Sequence, residues 1–211
     1  MTLEKYMKLN FPDLELRPPL FYNWDISIRF ELGMDYNFEN HSYLEGVYKR
    51  AIDLFKSIHS PNDNMYIVVD VNHFGNHPSF SRKINVFSKY VKEKAVLYKL
   101  HKHTIPYIFP EDDENGTYRT DRFMLKCKTS DFKFIPLIKA ICNQDMGVRP
   151  GISHRIYFIN MDKNTIFHIY DDRGCDLLAA APETIRDIYE EYNEWILDYD
   201  RNEIDNAFKK S

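Results

Sequence analysis

Three short apolar runs, residues 155–160, 165–170 and 175–180, are separated by two four-residue polar turns, Met161-Asp162-Lys163-Asn164 and Asp171-Asp172-Arg173-Gly174. Runs of this length bounded by turn residues read as strands, and turns this short join neighbouring antiparallel strands, so the segment is predicted to form a three-stranded meander. The second turn carries Asp at its first position and Gly at its fourth, as a type I turn favours. Asp171 and Asp172 can accept hydrogen bonds from backbone N–H groups, Gly174 can supply a positive φ, and Arg173 can pair with a carboxylate.

The rest of the chain alternates between the two periodicities. Residues 24–32 place Ile26, Ile28, Phe30 and Leu32 on one side, a strand with one buried face. Tyr43 to Ile58 places Val47, Ala51, Leu54, Phe55 and Ile58 at helical spacing, with Ser42 and Glu45 as a capping-box pair. Residues 65–71 read as a second strand, and residues 72–81, with His73, Gly75, His77 and Pro78, as a loop. Residues 83–94 fit a basic helix and residues 95–109 a strand, which returns over 117–128 after the Asn115-Gly116 turn. Residues 132–142 are helix-like with Pro136 in the first turn.

Pro182 opens the strongest amphipathic pattern, with Ile185, Ile188, Tyr189, Tyr192, Trp195 and Ile196 on one stripe. Asp200 and Glu203 form a second capping-box pattern before Ile204 and Phe208. The expected architecture is a single α+β domain over residues 1–211: an antiparallel sheet ending in the meander, packed by amphipathic helices.

A chain of 211 residues, 44% apolar and 15% aromatic, can bury a substantial core. The N-terminal residues lack a basic segment followed by an apolar one, and no apolar run approaches membrane-spanning length. Cys127, Cys142 and Cys175 form neither a disulfide framework nor a zinc-ribbon spacing. A cytoplasmic protein with no membrane association is expected.

Charge is uneven. Arg82, Lys83, Lys89, Lys92, Lys94, Lys99 and Lys102 make residues 82–103 basic, against the single acid Glu93. From Asp171 onward the chain is acidic, with Glu183, Asp187, Glu190, Glu191, Glu194, Asp198 and Glu203 among its carboxylates. Acidic surfaces suit basic partners, and a lysine-rich face suits phosphates.

Few motifs carry chemistry. Asp171, Asp172 and Asp176 offer hard oxygen ligands, but a calcium-loop spacing is missing and Arg173 opposes a cation. His73 with His77, and His101 with His103, are loop or strand pairs rather than a zinc pair on a helix. Cys175 lies near Arg173 and His168, which would lower its pKa, or is buried in a strand, which would make it inert. The phosphate-cradling glycine loop, the Gly-x-Ser-x-Gly elbow and the His-Glu-x-x-His pair are missing.

Several segments together resemble a family of bacterial proteins known as a domain of unknown function, found mainly in Bacillus-type bacteria. They are Arg29-Phe30-Glu31-Leu32-Gly33, Tyr48-Lys49-Arg50-Ala51 running on to Leu54-Phe55, Tyr157-Phe158-Ile159-Asn160, the run from Phe167 to Asp176 with its Tyr-Asp-Asp-Arg-Gly-Cys-Asp core, and Tyr192-Asn193-Glu194-Trp195-Ile196-Leu197-Asp198. The resemblance spans most of the chain and implies one domain; it implies no activity or catalytic residue.

The functional expectation is a non-catalytic binding protein without a cofactor or metal, of the immunity or antitoxin kind, holding a basic partner such as a toxin domain through Tyr170, Asp171, Asp172, Arg173 and Asp176. The alternative is a nucleic-acid-binding or phage-related regulatory protein using Arg82, Lys83, Lys89, Lys92 and Lys99. A third reading, a metal-dependent hydrolase, needs the three aspartates to converge on one ion.

Overall fold

A computed structural model describes residues 1–34, 42–74 and 85–209. Seven strands form one sheet: β1 (Ser27–Glu31), β2 (Asn64–His73), β3 (Leu100–Pro106), β4 (Arg119–Lys128), β5 (Arg155–Asn160), β6 (Thr165–Ile169) and β7 (Gly174–Ala179). Their order is β1-β7-β6-β5-β2-β4-β3, and every pairing is antiparallel. The meander of β5, β6 and β7 occupies the middle of the sheet, as its turn chemistry predicts, and the α+β architecture follows.

Both sheet faces are covered, which explains why β6 and β7 are buried at every position. On one face, Phe30, Ile67, Val69, Phe158, Phe167 and Leu177 pack with α2 (Tyr43–Ile58) and α4 (Phe134–Cys142). On the other, Val68, Tyr157, Ile159, Ile166 and Leu178 pack with α1 (Leu3–Asn10) and with Phe11, Leu14, Leu16 and Leu20 that follow it. Alternate residues of one strand thus feed two cores. A buried Leu, Ile or Phe side chain contributes about 1.5–3 kcal/mol relative to exposure, so the two layers dominate stability.

Several local expectations are corrected. β1 has two buried faces rather than one, since Ser27 and Arg29 lie beneath the segment of residues 21–24. Ser42 has helical backbone angles and makes no side-chain cap bond, so the capping box does not form. Lys94–Lys99 is a 3₁₀ turn, and only Leu100–Pro106 of the expected third strand is extended. Of the expected basic helix, the short α3 (Asn85–Tyr90) is described; Gly75, His77, Pro78, Arg82 and Lys83 lie outside the described residues.

The long helix expected from Pro182 is broken into the 3₁₀ turn Pro182–Thr184, α5 (Arg186–Glu191) and the 3₁₀ turn Asn193–Trp195. Its apolar spacing is real, yet the backbone is used elsewhere: Leu197 N–H donates to Arg29 C=O at 2.9 Å and Ile196 forms a bridge with Phe30. The segment covers the edge of β1, where unpaired strand groups would otherwise remain. The last described element is α6 (Arg201–Lys209), which buries Ile204 and Phe208. The opposite edge, β3, is exposed over most of its length, and its His101, Lys102 and His103 guard it against pairing with another chain. Among the described residues, no helix is long and apolar enough to cross a membrane.

Candidate functional site

The turn from Tyr170 to Gly174 abuts the end of β1, and its aspartates are spent on separate tasks. Asp171 is 3% exposed; its Oδ1 accepts the Arg173 backbone N–H at 2.8 Å, and its Oδ2 accepts Arg173 Nε at 2.9 Å as well as Arg173 Nη2. This is the Asp-to-backbone closure that such turns use. The Arg173 side chain lies largely in solvent, and its pKa rises through the hydrogen bond to Asp171. Asp172, 6% exposed, accepts a 2.7 Å hydrogen bond from Tyr43 Oη at the start of α2.

Asp176 points to the other sheet face and is fully buried. It accepts Arg29 Nε on Oδ1 at 2.8 Å, Arg29 Nη2 on Oδ2 at 3.3 Å and the Phe21 backbone N–H on Oδ2 at 3.2 Å. Arg29 Nη1 reaches Asp200 Oδ2 at 3.3 Å, and Tyr22 Oη donates to Asp200 Oδ1 at 3.0 Å. Burial opposes the charge on Arg29, but the hydrogen bonds and charge of Asp176 outweigh it and its pKa rises. The guanidinium is flanked by the rings of Phe21 at 5.0 Å and Tyr22 at 4.8 Å. Asp200 therefore serves this network, where its sequence suggested a helix cap.

The three aspartates face different partners, and among the described residues no group of three or more His, Cys, Asp or Glu is placed to hold a metal ion. Gly174 has no positive φ; it is small because a Cβ there would stand 2.5 Å from Tyr170 Oη and 2.8 Å from the Phe30 carbonyl oxygen. Cys175 is not activated: burial, with Asp176 adding to it, pushes its thiol pKa well up. Burial likewise raises Cys127 and Cys142 to about 12.

Beside the turn opens a cleft of about 800 Å³, lined by Pro18, Pro19, Arg29, Glu31, Gly33, Tyr43, Met146, Tyr170, Asp172, Arg173 and Leu197. Gly33 admits Tyr43, whose hydroxyl would clash with a Cβ at that position. Burial, and next the charge of Asp176, raise the pKa of the Tyr170 hydroxyl. The cleft joins the turn to Arg29 and Tyr43, two residues that sequence reasoning did not connect with it. A charged residue inside the alternation of β1 was the available sign for Arg29; Tyr43 gave none beyond opening a helix.

The basic residues of the alternative reading are surface groups. Lys89, Lys92 and Lys99 are exposed. Lys92 Nζ donates to Ser130 C=O at 2.7 Å, and Lys89 lies 5.4 Å from the Tyr90 ring centroid. Lys99 lines a groove of about 330 Å³ with His101, His103, Lys126, Tyr66 and Met124. His73 Nε2 meets Asp121 Oδ2 at 2.8 Å, with Lys102 at 2.7 Å from the same oxygen and Thr104 Oγ1 donating to Oδ1 at 2.7 Å.

Residues 3–200 match the model of the domain of unknown function DUF3885. The chain is similar to the uncharacterized protein YnaE of Bacillus subtilis strain 168, at 31% identity covering 94% of this chain and 99% of that one. No solved structure matches. The matched span takes in the whole sheet, the turn and the cleft-lining residues, and on it the chain belongs to the DUF3885 family.

Proposed function

We propose that this is a non-catalytic cytoplasmic binding protein that captures a basic protein partner, in the manner of an immunity or antitoxin protein holding a toxin domain. One observation carries the reading. Glu183, Asp187, Glu190, Glu191, Glu194, Asp198 and Glu203 are all exposed, while Arg186 and Arg201 in the same stretch are half-buried. Arg186 donates to Phe208 C=O, and Arg201 to Asp198, Asn193 and Ile196 C=O. Among the described residues from 182 to 209, Lys209 is the one exposed cation, and it pairs with Asp205. An acidic face steers and orients a basic partner, and Tyr199, 86% exposed beside Asp198, adds an aromatic contact.

The test combines gene context with charge reversal. A gene regularly beside one for a basic toxin domain, and a complex abolished by Glu190→Lys, Glu194→Lys and Asp198→Lys together, are expected. Genes standing alone across many genomes, or a complex indifferent to the triple change, count against the reading.

The exposure of Lys89, Lys92 and Lys99 favours a second reading, nucleic-acid binding through phosphate contacts. It requires an affinity that falls steeply with salt and is lost when all three become Glu. Unaltered binding in that variant removes this face.

A further inference from the structure

We infer that the cleft beside the 170–174 turn receives a single cationic group, a guanidinium or ammonium, with Asp172 as its counter-charge. This rests on the proposed capture of a basic partner and names the side chain that anchors it. Asp172 is 6% exposed and lines the cleft, and among the described residues Tyr43 Oη is the one donor that reaches it, on Oδ2. A carboxylate has room for about four hydrogen bonds, so Oδ1 retains its acceptor capacity at the cleft wall. A charge-assisted hydrogen bond from a guanidinium or ammonium to a carboxylate oxygen is stronger than one from a neutral donor, which favours a cation as its partner.

The neighbouring charges are already matched. Arg29 is engaged by Asp176 and Asp200, and Arg173 by Asp171. An anion entering the cleft would meet Asp172 and Glu31 with both guanidiniums ion-paired elsewhere; a cation meets Asp172, a carboxylate held by the neutral Tyr43 hydroxyl rather than by a cation. The walls suit the stem of a long basic side chain, since Tyr43 and Tyr170 offer ring surface and Met146 and Leu197 apolar surface. The volume of about 800 Å³ lies within the range of about 300–1,000 Å³ typical of ligand pockets. Leu197 also ties the cleft to the acidic face, because it directly precedes the exposed Asp198.

The experiment titrates the full chain with N-acetyl-arginine methylamide, its lysine counterpart and the neutral citrulline isostere, followed by NMR. The expected result is binding of the cationic probes, at least tenfold weaker binding of citrulline, and shifts at Gly33, Tyr43 and Asp172. Asp172→Asn keeps an oxygen for Tyr43 and is expected to weaken the arginine probe at least tenfold. Met146→Lys, which brings a competing cation to the wall, is expected to block it.

A Gly-Ser peptide with one arginine distinguishes the sources: tighter binding than the capped amino acid supports a partner side chain, and equal binding a free organic cation, both within the inference. Citrulline binding as well as arginine, Asp172→Asn without effect, or shifts confined to other surfaces overturn it. The charge-reversal triple leaves Asp172 intact. Loss of partner capture with arginine binding retained is the result expected if both readings hold. Failed arginine binding with capture retained refutes the cleft alone. Arginine binding with a partner indifferent to the triple refutes the acidic face alone.

Discussion

Arg29 and Asp176 stand opposite each other in the β1–β7 register and share two hydrogen bonds, Nε to Oδ1 at 2.8 Å and Nη2 to Oδ2 at 3.3 Å. The pair lies on the sheet face that also carries the Asp70–Arg122 pair and the buried His168, beneath Phe21 and Tyr22, and it fastens the edge strand, the 21–24 segment and Asp200 to the meander. The turn that looks densest in chemistry is thus the rim of a structural network, and Asp172 beside it is held by a neutral donor, the Tyr43 hydroxyl, rather than by an arginine.

Removing one partner from this pair leaves a buried charge. Asp176→Ala is expected to destabilise by about 3–5 kcal/mol in urea unfolding. The triple change Arg29→Met, Asp176→Leu and Asp200→Asn is expected to recover part of that loss, because no buried guanidinium or carboxylate of the network then remains without its counter-charge. A triple variant less stable than Asp176→Ala would contradict this account.

Two glycines should respond in opposite directions to alanine. Gly174→Ala forces a Cβ toward the Phe30 carbonyl oxygen, a backbone atom, and is expected to cost about 1–3 kcal/mol. Gly46, in α2 with nothing within 4 Å of its Cβ position, is expected to stabilise as Ala by about 0.5–1 kcal/mol. Thermal unfolding of the two variants reads the signs directly.

The turn itself divides unequally between its ion-pair partners. Asp171→Ala strips the Arg173 backbone N–H of its acceptor and is expected to cost about 1–2 kcal/mol. Arg173→Ala removes a largely exposed side chain and is expected to change stability by about 1 kcal/mol or less. Equal losses in denaturant titrations would show that the side-chain pair, rather than the backbone bond, holds the turn.

His59 should make stability depend on pH. Burial lowers its pKa from 6.5 to about 4, its Nδ1 bonds Phe55 C=O, and its Nε2 has no partner among the described residues. The unfolded chain therefore takes up this proton at higher pH than the folded one. The contribution is complete above pH 6.5 and is lost as pH falls from there toward about 4, on the order of 3 kcal/mol in all. His168, also lowered by burial, acts in the same sense. Unfolding free energies across this window are expected to fall less in His59→Phe than in the natural sequence; parallel curves would contradict the assignment.

Much of the fold was legible locally. The meander followed from turn residues at fixed offsets, α2 from its 3.6-residue stripe, and the start of α4 from Pro136 in its first turn. The helix expected from Pro182 failed for a nonlocal reason: its apolar stripe is correct, but Ile196 and Leu197 lend their backbone to the edge of β1. The same blindness affected Asp200, whose helix-capping pattern cannot reveal that Arg29, far away in sequence, claims its carboxylate.

The sequence by itself determined that this chain forms antiparallel strands with amphipathic helices, because side-chain periodicity and turn chemistry act over a few residues. Only the tertiary structure decided which charges are free. Asp171, Asp172 and Asp176 are indistinguishable as letters, yet one closes its own turn, one is buried against an arginine from another strand, and one keeps an acceptor open to a cleft. That division depends on which distant donors the fold brings within about 3 Å, since hydrogen bonds weaken steeply beyond it.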